Sequence, residues 1–222
     1  MRNRLLIVAG LVAPLLYVGT VLLGGILRPG YSHIAQPVSD LIASGAPNTA
    51  VLNLLFALYN LLVLVFGISL FQWVRAENQT NRRTVGTIGA VFLLLEGLFG
   101  FITLFFPEDV GSISEATSIG KLHIVFAGLS ALTSLFAILL MGFWFRNSPL
   151  LRRYSSYSFI SVLVVFVFGG MAAASVANGS PIAGLLERIT IGGFIQWIFV
   201  IALMMYTTSK SYASKMQPSP TS

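Results

Sequence analysis

Residues 85–106 read VGTIGAVFLLLEGLFGFITLFF. This segment holds one charged side chain, Glu96, and is long enough to cross the ~30 Å hydrocarbon core of a bilayer as a helix, at ~1.5 Å per residue. The whole chain has the same character, because 56% of its 222 residues are hydrophobic and only 9% are charged. Soluble domains contain roughly 25% charged residues. We therefore expect an integral membrane protein.

Further apolar segments of this length predict an all-α fold, a bundle of six transmembrane helices. The predicted spans are residues 5–27, 49–74, 85–106, 121–145, 154–177 and 184–207. Residues 1–208 would form one transmembrane domain, and the polar residues 209–222 a disordered tail. The first span follows Arg2 and Arg4, but its apolar run is too long for a signal peptide, so we expect it to be retained.

Charge predicts the orientation of the bundle. Ten of the 13 Lys and Arg residues lie in the N-terminus, the loops 75–84 and 146–153, and the tail. The positive-inside rule then predicts that both termini lie on the cytoplasmic side of a cell membrane, with most acidic residues on the outer side. The net charge of +6 is explained by topology, so we expect no nucleic-acid partner. Cysteine is absent from the sequence, which excludes disulfide and thiolate chemistry.

Polar residues within the predicted spans are candidates for function. A charge at the depth of Glu96 costs about 2.5–3.5 kcal/mol, so the side chain should face the bundle. It would serve either as an interhelical hydrogen-bonding group or in binding and proton handling. Asn53 and His123 lie near the outer ends of their spans. We expect Arg188 to turn inward and pair with an acid such as Asp40 or Glu96.

The loop after the first span, RPGYSHIAQPVSDLIASGAP at residues 28–47, is too long for a tight connection. Pro37 suits the first position of a helix, and Gly45 is placed to end one. The sequence predicts a short two-turn amphipathic helix with its apolar side on the bundle and Ser39 and Asp40 at its edge. We expect this loop to act as a lid over a polar pocket on the outer side.

The motif Y-S-x-I-x-Q-x-x-S-D-L after R-P-G resembles the opening signature of a bacterial and archaeal membrane family, domain of unknown function 998. F-P-E-D, K-L-H and L-L-E-R-I-T-I-G extend the resemblance. It implies six helices and a prokaryotic cell membrane, and it implies no particular activity. The recurring residues at matching positions are Tyr31, Ser32, Gln36, Ser39, Asp40, Pro107, Asp109, His123, Glu187 and Arg188.

The predicted pocket combines most of these positions with polar residues that lie in the first loop or within the predicted spans. Its residues are Tyr31, His33, Gln36, Ser39, Asp40, Asn53, Glu96, Asp109, His123, Glu187 and Arg188. In one hypothesis the pocket binds a lipid headgroup or a small amphiphile, with membrane lipids as partners.

Two other hypotheses stay open. A hydrolase or transferase at the outer leaflet would use Ser39 as nucleophile, Asp40 as orienting acid and His123 as base. The sequence lacks GxSxG and HExxH motifs, and two histidines make a thin metal-ligand set, so we expect no metal site. The third hypothesis is a structural or sensor subunit without a ligand. We expect no cofactor, and the oligomeric state stays open.

Overall fold

A computed structural model describes most of the chain, namely residues 4–77, 83–109, 116–147 and 151–215. These residues form six α-helices, one turn of 3-10 helix and no strand. The helices are α1 (Arg4–Leu27), α2 (Thr49–Ala76), α3 (Arg83–Thr103), α4 (Ser118–Phe145), α5 (Arg152–Ala177) and α6 (Ala183–Lys215). All six are long and apolar enough to cross a membrane, which confirms the predicted fold class.

The helices form a closed ring in chain order. Each helix packs against the next one, and α6 packs back against α1. The centre of the ring is filled by fully buried side chains such as Phe66, Phe145 and Trp197. The outer faces carry exposed apolar side chains, for example Leu163 and Phe166 of α5, as expected of helices that face lipid tails.

Small residues allow close helix crossings. A Cβ atom added to Gly10 of α1 would overlap the Phe66 ring of α2 and would lie 2.8 Å from the Ala202 Cβ of α6. Because lipid tails are as apolar as the helix surfaces, association inside a bilayer depends on such close packing. Gly10 therefore brings α1, α2 and α6 together at one crossing.

The segment of residues 28–48, here called the first loop, crosses one end of the ring, which we call the first-loop end. It contains a 3-10 turn at Ser39–Ile42, shorter than the predicted two-turn helix. Val38, Leu41 and Ile42 are buried against the apolar residues Val21, Leu52 and Phe56. The apolar side of this turn therefore holds the first loop on α1 and α2.

Hydrogen bonding explains why the turn stays short. In an α-helix the Asp40 carbonyl would accept a hydrogen bond from the Ser44 amide. Instead, the Arg28 guanidinium donates to the Asp40 carbonyl, and the Ser44 amide donates to the Glu108 carbonyl at 2.9 Å. The chain then reverses through Gly45, whose φ of +78° favours glycine.

The opposite end of the bundle differs from the prediction in one respect. α6 continues to Lys215, past the predicted start of a disordered tail at residue 209. Residues 216–222 lie outside the described residues, as do Arg2, Arg82 and Glu115, which entered the orientation argument. The orientation of the termini stays a prediction.

Candidate functional site

The start of α6 is bound to the first loop through its backbone. The Gly184 amide donates to the Ala35 carbonyl at 3.3 Å, and the Leu185 amide donates to the Ile34 carbonyl at 2.9 Å. The first amides of a helix have no partner within the helix, so the first loop supplies their acceptors. A Cβ atom at Gly184 would overlap the Gln36 carbonyl. Only glycine permits this contact in its observed form.

Arg188, one turn further along α6, makes the next set of contacts. Its Nη1 donates to the carbonyl oxygens of Gln36 and Gly184, each at 2.8 Å. Its Nη2 donates to the Tyr31 hydroxyl. The sequence predicted an acidic partner such as Asp40 or Glu96, but the observed hydrogen-bond acceptors are neutral. Arg188 therefore serves as a cationic clamp on the first loop.

Glu187 reaches the same loop from the adjacent position. Its Oε2 accepts a hydrogen bond from the Val38 amide at 2.7 Å. Consecutive helical residues point about 100° apart, so Glu187 and Arg188 engage different parts of the loop. The start of α6 thus contacts the segment from Tyr31 to Val38 with one carboxyl group and one guanidinium group.

The first loop is also bonded to itself. The Tyr31 hydroxyl donates to the Pro37 carbonyl at 2.6 Å. The Gln36 side chain accepts from the Ser32 amide at 2.9 Å and donates to Asp40 Oδ2 at 3.1 Å. Burial raises the pKa of Tyr31 to about 12, with Arg188 opposing this shift. The phenol is therefore protonated at neutral pH and remains a hydrogen-bond donor.

Tyr31 lies between charged and aromatic neighbours. The guanidinium carbons of Arg28 and Arg188 lie 5.8 Å and 5.6 Å from its ring centroid. The His33 ring packs edge-on at a centroid distance of 5.1 Å and rests against Gly25 of α1. Burial and the nearby Arg188 charge lower the pKa of His33, which favours the neutral imidazole.

A second group of side chains lies where α3 ends and α4 begins. The Ser39 side chain lies close enough to the Glu108 carboxyl group to influence its pKa. Burial raises the pKa of Glu108, and the charges of Asp40 and Asp109 add to this shift, while Ser39 and His123 oppose it. Glu108 was assigned to the outer side by sequence but was not among the predicted pocket residues. The structure puts it at the edge of the 3-10 turn.

Asp109, the neighbouring acid, has a structural task. Its Oδ2 accepts hydrogen bonds from the Thr117 amide at 2.7 Å and the Thr117 hydroxyl at 2.9 Å. Thr117 in turn caps α4 by accepting from the Gly120 amide. Asp109 therefore fixes the start of α4, and Glu108 is the acid that faces the first loop.

The three catalytic candidates have different partners from those of a Ser–His–Asp triad. Ser39 interacts with Glu108, and Asp40 accepts a hydrogen bond from Gln36. His123 is buried, at 5% exposure, and its Nδ1 lies 2.7 Å from the Phe106 carbonyl oxygen. Within the part of the chain that the structure describes, no group of three or more His, Cys, Asp or Glu residues is placed to hold a metal ion.

Glu96 lies deeper, two turns below the end of α3, and is 5% exposed. Its Oε1 accepts a long hydrogen bond of 3.4 Å from the Ser130 hydroxyl of α4. It therefore faces the bundle, in keeping with its predicted environment. Two tyrosines that were not among the predicted pocket residues lie within electrostatic reach of Glu96.

These tyrosines are Tyr17 of α1 and Tyr59 of α2, whose ring centroids lie 4.8 Å apart. Tyr17 is within electrostatic reach of Glu187, Arg188 and Glu96, and Tyr59 is within reach of Glu96. A tyrosine hydroxyl buried in an apolar span usually needs a polar partner, and this signal could have identified both residues. Tyr59 belongs to the apolar core, and Tyr17 packs against that core.

Several polar atoms in this half of the bundle lack a partner. The buried atoms Asn53 Oδ1, Glu96 Oε2, Glu108 Oε2 and Arg188 Nε have no hydrogen-bond partner among the described residues. More than nine in ten buried polar groups in native structures are paired. The four unpartnered atoms in this half come from α2, α3, the segment after α3 and α6, and Arg83 Nε is unpartnered at the opposite end.

A ring of six apolar helices with polar groups gathered at one end defines a multi-pass membrane protein. The chain belongs to the family described as protein of unknown function (DUF998), whose model matches residues 11–204. This match confirms the family resemblance of the sequence motifs. No curated protein and no solved structure matches the chain.

Proposed function

We propose that this membrane protein binds the headgroup of a membrane lipid, or of a similar small amphiphile, in a polar pocket under the first loop. The observation that carries the proposal is the set of unpartnered buried atoms at Asn53, Glu96, Glu108 and Arg188. Leaving a buried polar atom unpaired costs about 1–3 kcal/mol. A bound polar group would supply the missing partners.

The depth of the charged residues favours a lipid over a solute from the aqueous phase. Arg188 is the sixth residue of α6, so it lies roughly 8 Å below the start of that helix at 1.5 Å per residue. This depth matches the boundary between headgroups and acyl chains. The bias of Lys and Arg supports an orientation with the first-loop end outside a prokaryotic cell membrane.

The first loop would act as the lid of this pocket. Gly30 and Gly45 flank its central part, have φ values of +75° and +78°, and have open space where a Cβ atom would lie. Glycine tolerates changes of backbone angle that other residues resist. These two positions are suited to act as hinges when a headgroup enters or leaves.

A structural or sensor subunit is the second candidate. The hydrogen bond between Glu96 of α3 and Ser130 of α4 favours it, because such a bond joins neighbouring helices within a bilayer. This function would not need a ligand, so the two candidates differ in a measurable property. The hydrolase is less well supported because Ser39 and His123 are engaged elsewhere.

Native mass spectrometry of the purified protein tests the proposal. We expect wild type to retain a co-purifying lipid and the Glu96→Gln and Arg188→Ala variants to lose it. Arg153→Ala is the matched control, since Arg153 lies at the opposite end, where it stacks on Tyr154. Absence of any bound lipid from wild type would refute the pocket and favour the structural subunit.

A further inference from the structure

The unpartnered atoms of the pocket are mostly acceptors. Asn53, Glu96 and Glu108 each leave an oxygen without a donor, whereas Arg188 Nε is the one unpartnered donor in this half among the described residues. Two of the three acceptors are carboxylate oxygens. A ligand that pairs with these acceptors must donate hydrogen bonds, and a positive charge on the ligand would strengthen its bonds to the carboxylates.

Two of the acceptors lie at the same level of the bundle. The Asn60 side chain of α2 lies against Gly100 of the antiparallel helix α3. Seven residues nearer the first-loop end, α2 contains Asn53, and the segment that follows α3 contains Pro107 and Glu108. Asn53 and Glu108 thus both lie near the first-loop end, while Glu96 lies about three turns deeper.

Glu96 gives independent support for a ligand in this region. It is 5% exposed, and its Oε2 has no partner. Tyr17 of α1 is within electrostatic reach of Glu96 and also of Glu187 and Arg188. Unpartnered acceptor atoms therefore lie deep in the bundle as well as near the first-loop end.

We infer that the headgroup carries a primary ammonium group, as an aminophospholipid does, and that Glu108 and Asn53 receive its N–H donors. This inference rests on the proposed function and specifies its ligand. The Arg188 Nε, on the α6 side of the first loop, completes the arrangement by donating to a phosphate oxygen of the same headgroup. A zwitterionic headgroup would then satisfy both carboxylate and guanidinium.

The test compares three lipids with the same acyl chains, added to delipidated protein and scored by native mass spectrometry. Phosphatidylethanolamine has an ammonium with N–H donors. Phosphatidylcholine has the same charge without N–H donors, and phosphatidylglycerol has hydroxyl donors without the positive charge. We expect wild type to retain phosphatidylethanolamine at least tenfold better than either of the others.

Variants test which residues produce the preference for phosphatidylethanolamine. Glu108→Gln and Asn53→Ala should each reduce the preference for phosphatidylethanolamine, and Glu77→Gln, at the opposite end of α2, should leave it unchanged. The thermal unfolding midpoint of each variant shows whether it is folded, and the two rim variants check each other. The inference fails if wild type retains the three lipids equally or prefers phosphatidylcholine or phosphatidylglycerol. If wild type retains none of the three, the proposed function itself fails.

Discussion

Replacing Gly184 with alanine perturbs the contact between α6 and the first loop without changing any charge. The added Cβ would overlap the carbonyl group of Gln36. The first loop must then move away from α6. This movement would break the hydrogen bonds from the Gly184 and Leu185 amides and from Arg188 to Gln36.

The magnitude follows from these three bonds. Two neutral hydrogen bonds contribute about 1 kcal/mol each, and the bond from the guanidinium contributes about 2 kcal/mol. Alanine recovers about 1 kcal/mol because it favours helix more than glycine does. The net cost is about 3 kcal/mol, which corresponds to a roughly 100-fold shift toward the open loop, at 1.4 kcal/mol per tenfold.

Hydrogen exchange of the protein in nanodiscs measures this shift. The Val38 amide, bonded to Glu187, and the Leu41 amide, bonded within the 3-10 turn, report on the first loop. We expect both to exchange roughly 100-fold faster in Gly184→Ala. The control is Gly192→Ala on the same helix, where an added Cβ meets no atom within 4 Å. Equal exchange rates in the two variants would refute the clamp.

Three further predictions address single residues. Glu187→Gln retains an acceptor for the Val38 amide and should keep the first loop closed. Glu187→Ala removes this acceptor and should accelerate hydrogen exchange of the Val38 amide about tenfold. Equal exchange rates in the two variants would show that this bond does not hold the loop. Folding raises the pKa of Glu108 above its ordinary value of 4.5 because the side chain is buried. Above this pH, the folded protein keeps a proton on Glu108 that the unfolded chain has lost. The free energy of unfolding should therefore fall as the pH rises above 4.5. Glu108→Gln should reduce this fall in thermal unfolding curves recorded across pH, and parallel curves for variant and wild type would contradict the assignment. Gly45→Ala places a side chain at a φ of +78° and should destabilise the first loop by about 1–2 kcal/mol, measured by its exchange rate; an unchanged rate would show that the strain is relieved elsewhere.

The fold could be predicted because helix length and bilayer thickness are tied by simple geometry. The remaining error lies at helix ends, where apolar turns resemble helix in a hydropathy profile. The third span was predicted to end at residue 106, but α3 ends at Thr103. The next three amides bond three residues back, to Phe101, Ile102 and Thr103, which is the pattern of a tighter turn.

The predicted pocket stays a prediction, whereas the contacts of several of its residues can be compared with the structure. The predicted pocket included Tyr31 and Gln36 of the first loop and Glu187 and Arg188 of α6. Hydrogen bonds do connect the two α6 residues to the first loop. The acidic partner expected for Arg188 is replaced by carbonyl and phenol oxygens, because the path of the first loop brings its backbone to α6. A sequence does not show which backbone groups a loop will present.

Adjacent residues posed a second difficulty. The predicted pocket included Asp109, yet Asp109 binds Thr117, the residue that caps α4, and its neighbour Glu108 faces Ser39. Two consecutive acids outside a helix have no periodicity that tells them apart. Tyr17 and Tyr59 were missed for another reason, since a tyrosine within an apolar span resembles a core aromatic unless its hydroxyl is considered.

Photo-crosslinking tests the presence of a headgroup under the first loop most directly. Membranes containing the protein would be labelled with a phospholipid that carries a diazirine in its headgroup, and the modified peptides would be mapped. A headgroup pocket predicts labels within residues 31–44, 104–109 and 184–188, and their loss in Arg188→Ala. Labels confined to the exposed faces of α4 and α5, with none in these segments, would contradict it.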